Sequence, residues 1–115
     1  MEGESIMSVN KDKTFDAEAI RDTSSHNGAV IYNGDFIIKT IIIENELNQA
    51  ITLQCEGSAH SDFSHKFNIG SPFDITANTD SFQTCDSYFP YWRIVATCST
   101  APTTGSLTVY TLGVS

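Results

Sequence analysis

The stretch HSDFSH brings two imidazoles and a carboxylate, His60, Asp62 and His65, into six consecutive positions. Imidazole and carboxylate are the donors that hold zinc and related ions, so this is the metal-like constellation of the chain. Its spacing matches no established metal motif, and the same residues suit a solvated loop. A second group, YFPYWR at residues 88–93, contains the only Trp, two of the four Tyr and one of two arginines. Exposed aromatic faces and an arginine are what a sugar or small-ligand site requires. Tyr88, Tyr91 and Arg93 are therefore the candidate ligand-binding residues. Trp92 is different, because strand alternation sets it on one face with Ile94, Ala96 and Cys98, an apolar row that reads as core.

Other chemistry finds less support. The acid and amide in ANTDS (77–81) could give oxygen ligands to calcium, but no EF-hand register surrounds them and a polar turn fits equally. Nucleophile-elbow, P-loop and dinucleotide fingerprints are missing from the sequence. Cys85, in QTCDSY, has no local base, and a glycosidase would need two carboxylates across a cleft that a small sandwich has little room for. The reading is a non-enzyme that needs no cofactor. His26, in SSHNG, reads as an exposed turn residue. Cys55, Cys85 and Cys98 are odd in number and lack a Cys-x-x-Cys pair, which fits buried thiols, with one disulfide plus one thiol as the alternative.

The bulk composition narrows the partners. Fourteen acids oppose six scattered bases, for a net charge of −8. A protein of this balance has no stripe to track phosphates and is repelled by anionic membranes, so neither nucleic acid nor membrane is expected as a partner. The first residues, MEGESIMSVNKDK, do not form a signal peptide, and FIIKTIII is too short to span a bilayer. The expectation is a soluble chain, cytoplasmic or carried in a virion. Its 115 residues fit one domain, 1–115, with residues 1–12 as a flexible lead.

The elements that would position these groups are strands. Short runs of Ile, Val, Thr and aromatics recur between polar clusters at intervals of about ten residues. FDAEAIRD (15–22) is the first. DFIIKTIIIE (35–44) is apolar on both faces, with Phe36, Ile38 and Ile42 on one and Ile37, Ile41 and Ile43 on the other. NELN (45–48) then reads as a turn into AITLQCE (50–56), making a hairpin with Ile51, Leu53 and Cys55 inward and Thr52, Gln54 and Glu56 outward. GSAHSD (57–62) is a polar loop, FSHKFNIG (63–70) and PFDITANT (72–79) are two strands, and NTDS is a turn. YWRIVATCS (91–99) and SLTVYTL (106–112) close the chain, and Cys85 falls between strands. Inward Cys55 and Cys98 should alkylate slowly, and Cys85 first. The fold class is all-β, an antiparallel two-sheet sandwich of jelly-roll-like form with about 7–8 strands. An isoleucine-rich strand with two apolar faces calls for a cover, supplied either by the N-terminal 30 residues or by a second subunit in a homo-dimer or trimer, and the latter is favoured.

AITLQCEGSAHSDF and YFPYWRIVATCSTAPTTGSLTVY resemble the Gly-Ser loop and final hairpin of small jelly-roll-like β-sandwich modules in phage and prophage virion proteins and microbial surface proteins. The resemblance spans residues 36–112; the stretch AHSDFSHKF departs from the Asp-Gly and aromatic usual after the Gly-Ser. It implies a non-catalytic structural or assembly module, with other structural proteins or glycans as partners. A carbohydrate- or small-ligand-binding module is the alternative, and a hydrolase the least supported reading.

Overall fold

The computed structural model describes residues 9–34 and 36–114, and their side chains other than those of residues 9, 10, 39 and 85–87. Among the described residues there are nine strands and no helix. Sheet A contains β1 (Val9–Glu18), β9 (Leu107–Val114), β4 (Ile37–Asn45) and β7 (Thr79–Ser87), side by side in that order. Sheet B contains β2 (His26–Asn27), β8 (Tyr91–Thr97), β5 (Ile51–Ser58) and β6 (Phe67–Ile75), with the short β3 (Ile31–Tyr32) also on β8. Every pairing is antiparallel. The expected all-β two-sheet sandwich is the fold. Because β2 and β3 are two pieces along one flank of β8, the nine strands occupy eight positions.

Alternation explains the two best-formed inner faces. In β8, Trp92, Ile94 and Ala96 are buried and the residues between them half-buried, and Cys98 continues the buried row. In β9, Leu107, Val109 and Thr111 point inward in the same rhythm. Each large apolar side chain so buried contributes about 1.5–3 kcal/mol over leaving it in water. Ile20, from the segment after β1, and Leu47, from the β4–β5 connection, seal the core.

Five sequence expectations are corrected. The isoleucine strand does not carry two opposed apolar triplets. Its register slips between Ile38 and Thr40 against both neighbours, a β-bulge that switches the side-chain phase. The buried set is therefore Ile38, Ile41 and Ile43, gathered onto one face, while Ile37 and Ile42 point outward. Second, β4 and β5 are not a hairpin. They belong to different sheets, and the chain crosses at Asn45, which is fully buried. Its amide donates to the carbonyls of Thr76 (3.0 Å) and Gln49 (3.3 Å), and its carbonyl accepts from the N–H of Leu47 (3.2 Å). A side chain that satisfies the backbone of a corner replaces the ladder a hairpin would have made. Third, residues 67–75 form one strand where two were expected. Gly70, at φ +70°, and Pro72 lie within it, which an edge position tolerates. Fourth, the strand of residues 79–87 begins inside the expected NTDS turn, and Cys85 lies within it rather than between strands; the Cys85 thiol is outside the described residues. The first strand also begins at Val9, inside the stretch expected to be a flexible lead, and ends at Glu18 rather than at residue 22.

Candidate functional site

Glu56 faces outward from sheet B, as alternation requires, yet its side chain is only 6% exposed. The cause is the loop of residues 59–66, which folds back over the outer face. Ser58 holds it at both ends: its hydroxyl donates to the Ser64 carbonyl (2.7 Å) and accepts from the His60 N–H (3.1 Å). Phe63 and His65 take left-handed backbone conformations, φ +59° and +53°, and Phe63 is buried against the sheet. The expected strand beginning at Phe63 begins instead at Phe67, so Phe63 belongs to the loop and is the plug that covers the site.

Beneath it lies a compact ionic cluster. Arg93 sits opposite Glu56 in the β5–β8 ladder, and its Nε donates to Glu56 Oε1 at 2.9 Å. Lys66 Nζ donates to Glu56 Oε2 at 2.9 Å. The Arg93 guanidinium also lies 4.2 Å from the centre of the Phe63 ring, a cation–π contact. Both oxygens of this buried acid are thus committed to cations. One strand pair away, Tyr32 and Tyr91 are cross-strand partners with ring centres 5.4 Å apart, tilted by 43°. Tyr32 is 66% exposed. Tyr91 and Arg93, two residues apart, share this outer face.

The sequence candidates divide as follows. Tyr91 and Arg93 come together on one face. Tyr88 is exposed, and its hydroxyl donates to the Gly34 carbonyl at 2.7 Å. Trp92 lies in the core, as expected. Sequence reasoning missed Tyr32, Glu56 and Phe63. Tyr32 has no signal until the pairing of β3 with β8 is known, and Glu56 looks like any outward acid until the loop covers it.

The metal constellation does not close. The His60 and His65 rings meet edge to face with centres 5.9 Å apart. Asp62 is engaged locally: hydrogen bonds from the Ser64 N–H and hydroxyl hold its carboxyl below the usual aspartate range. Among the described residues no group of three His, Cys, Asp or Glu side chains is placed to hold an ion. His26, expected in an exposed turn, begins the short β2 and is half-buried, with its ring Nε2 2.7 Å from Asp22 Oδ1. The ANTDS segment turns into β7, with the Thr79 hydroxyl donating to the Ala77 carbonyl.

Comparison with known proteins places the fold. No family model matches the chain, and no curated protein does. Among solved structures, the crystal structure of PirA is similar at 15% identity and a TM-score of 0.54, over 96% of this chain and 96% of that one. A chain in the structure of infectious bursal disease virus, Gx strain, is similar at 13% identity and a TM-score of 0.57, over 96% of this chain and 33% of the viral one. At these identities the likeness is one of fold. This chain therefore matches nearly all of PirA and about a third of the viral chain. No described helix is long and apolar enough to cross a membrane.

Proposed function

We propose that this protein is a non-catalytic structural module of jelly-roll form that serves in assembly, of the virion or microbial-surface type. The observation that carries the reading is the strand order. Sheets of order β1-β9-β4-β7 and β2/β3-β8-β5-β6, linked by a chain that passes repeatedly from one to the other, support the jelly-roll reading. The likeness to part of a viral chain supports the same reading. The fate of Glu56 supports the non-catalytic part, since a carboxylate with both oxygens bonded to cations is a poor general acid or base. The test is mass spectrometry of density-gradient-purified particles from the native source. Enrichment of the protein with the particles is expected; recovery only in the soluble fraction would overturn the assembly reading.

A second reading is favoured by one observation, the Tyr32–Tyr91 pair beside Arg93 on an outer face. Such a platform suits a carbohydrate or other small polyhydroxylated ligand stacked on the two rings, with Tyr88 at the margin. A glycan array separates the two: reproducible binding that is lost in Tyr91→Ala and Tyr32→Ala supports the ligand-binding module, and a blank array with folded protein removes it.

A further inference from the structure

The two sheets differ in how their edges are finished. Sheet B ends on one side in β2 and β3, of two residues each, and on the other in β6, which carries Pro72, a left-handed Gly70 and a register break against β5. Short strands, prolines and bulges are the devices that stop an edge from recruiting another strand. Sheet A has fewer of them: lysines and bulges on β1, and one register break between β4 and β7. Its β7 edge has nine residues with no Pro, Gly, Lys or Arg, in unbroken register with β4 from Thr84 to Thr79. At the other edge, β1 pairs with β9 without a break from Val9 to Lys13, and its bulges come later.

The outer face of sheet A has polarity from one edge to the other. A row of opposed residues crosses it: Lys13, Tyr110, Ile42, Phe82. At the β1 edge, the Lys11 and Lys13 ammonium groups lie 5.4 and 5.3 Å from the centre of the Tyr110 ring, and Lys13 also pairs with Asp16. Near the β7 edge, Phe82 is 67% exposed and is followed in the next row by the opposed acids Glu44 and Asp80. The chain has only six Lys and Arg residues, and two of them stand here, across the sheet from the acids.

We infer that sheet A continues from one copy of this chain to the next, with the β1 edge of a second copy laid beside the β7 edge of the first. The inference rests on the assembly reading and supplies its contact. Because all pairings are antiparallel, directions alternate across the four strands, and β7 runs opposite to β1. A second copy displaced by one sheet width therefore presents its first strand antiparallel to β7. Continuing the row brings Lys13 of the second copy opposite Phe82 and diagonal to Asp80, repeating between copies the cation–aromatic contact that Lys13 makes with Tyr110 within one. Such a head-to-tail contact joins unlike surfaces, so it closes into a ring or runs on as a filament.

The experiment is sedimentation or light scattering of the purified full chain over a wide concentration range, with circular dichroism to confirm folding of each variant. The wild type is expected to rise above the 12.6 kDa of a single chain and to fall back as salt is added. Phe82→Lys, at an exposed position, should weaken association about tenfold or more. Asp80→Lys and Lys13→Glu should each weaken it alone and restore it when mixed, because each variant then offers the charge the other has lost. A wild type that stays monomeric, or association indifferent to Phe82→Lys, overturns the inference. So does failure of the mixture to recover, which would mean a twofold contact instead. Recovery of the protein in particles is read independently, so the edge contact can fail while the assembly reading stands.

Discussion

Glu56 shows how far a residue's role depends on what lies above it. Its carboxylate, Arg93 and Lys66 form a bridge in which the acid is buried, Arg93 nearly so, and Lys66 half in water. Removing the acid leaves a guanidinium under the Phe63 plug with no counter-charge, so Glu56→Ala should cost about 3 kcal/mol. Lys66→Ala removes only a solvated partner and should cost about 0.5 kcal/mol or less. Urea midpoints of the two variants check the asymmetry; equal effects would mean that the loop does not shield the pair. Asp22 sets a pH dependence. Its bond to His26 first, then those from Ser24, hold its carboxyl below the ordinary aspartate value of 3.8. A depressed carboxylate contributes stability that is present above the unfolded value and is lost as pH falls through the folded one. The stability difference between wild type and Asp22→Asn should therefore shrink as the pH falls below about that value, as a urea midpoint series against pH would record. Of this site, Tyr91 and Arg93 were legible from alternation alone. The burial of Glu56 was not, since it depends on a loop whose one large apolar residue, Phe63, is isolated among polar neighbours.

Among the elements, β4 carries the sharpest test. The bulge at Ile38–Thr40 puts Ile41 in the core and turns Ile42 outward. Ile41→Lys should cost about 4 kcal/mol or more and leave the chain unfolded or nearly so. Ile42→Lys, one residue on, should cost about 1 kcal/mol or less. Tolerance of both at position 41 and 42 in a thermal melt would mean that the phase switch is misplaced. The bulge also explains what the sequence could and could not reveal. Strands β8 and β9 announce themselves because buried and half-buried residues alternate without interruption. In β4 isoleucine stands on both sides of the bulge, so composition looks two-faced while the real faces are one apolar and one mixed. Strand β7 is nearly invisible in sequence because it is an edge strand whose side chains are mostly polar and exposed. The β4–β5 crossing is not legible in the sequence because a short connection such as residues 46–50 looks the same whether the next strand pairs with the last one or leaves for the other sheet; the burial of Asn45 and Leu47 distinguishes them.

Over the whole molecule, the two ends of the sandwich are finished differently. At one end the β4–β5 connection and the loop before β9 lock together. Asn48 donates to the Thr103 hydroxyl (2.7 Å) and accepts from the Thr103 N–H (2.9 Å), and the Glu46 N–H donates to the Ser106 carbonyl (2.9 Å). Gly105 sits in this clasp at φ +89°, and a Cβ there would run into the Glu46 carbonyl. Gly105→Ala should cost about 2 kcal/mol, read as a fall in Tm of roughly 10 °C. The opposite end is looser: Phe67, stacked on Phe89 at 6.2 Å, is 61% exposed, and Tyr88 is exposed beside it. Amide exchange should be slower for Leu47 and Ser106 than for the backbone around Gly34, and the reverse order would contradict this division.

The position of β9 has a consequence for how the molecule is made. The last strand in sequence is an inner strand of sheet A, with β1 on one side and β4 on the other. A ribosome delivers residues 9–45 long before residue 107 emerges, and until then β1 and β4 have no common neighbour to join them. Sheet A can close only after the final strand has left the exit tunnel, and its most distant contact, Val9 with Val114, spans nearly the full length of the chain. Closing so large a loop before any reward is returned places this protein among slow folders, on a scale of milliseconds to seconds. Until β9 arrives β4 can pair only on its β7 side, so the edge that β9 will take stays open and apolar side chains stay exposed in the meantime.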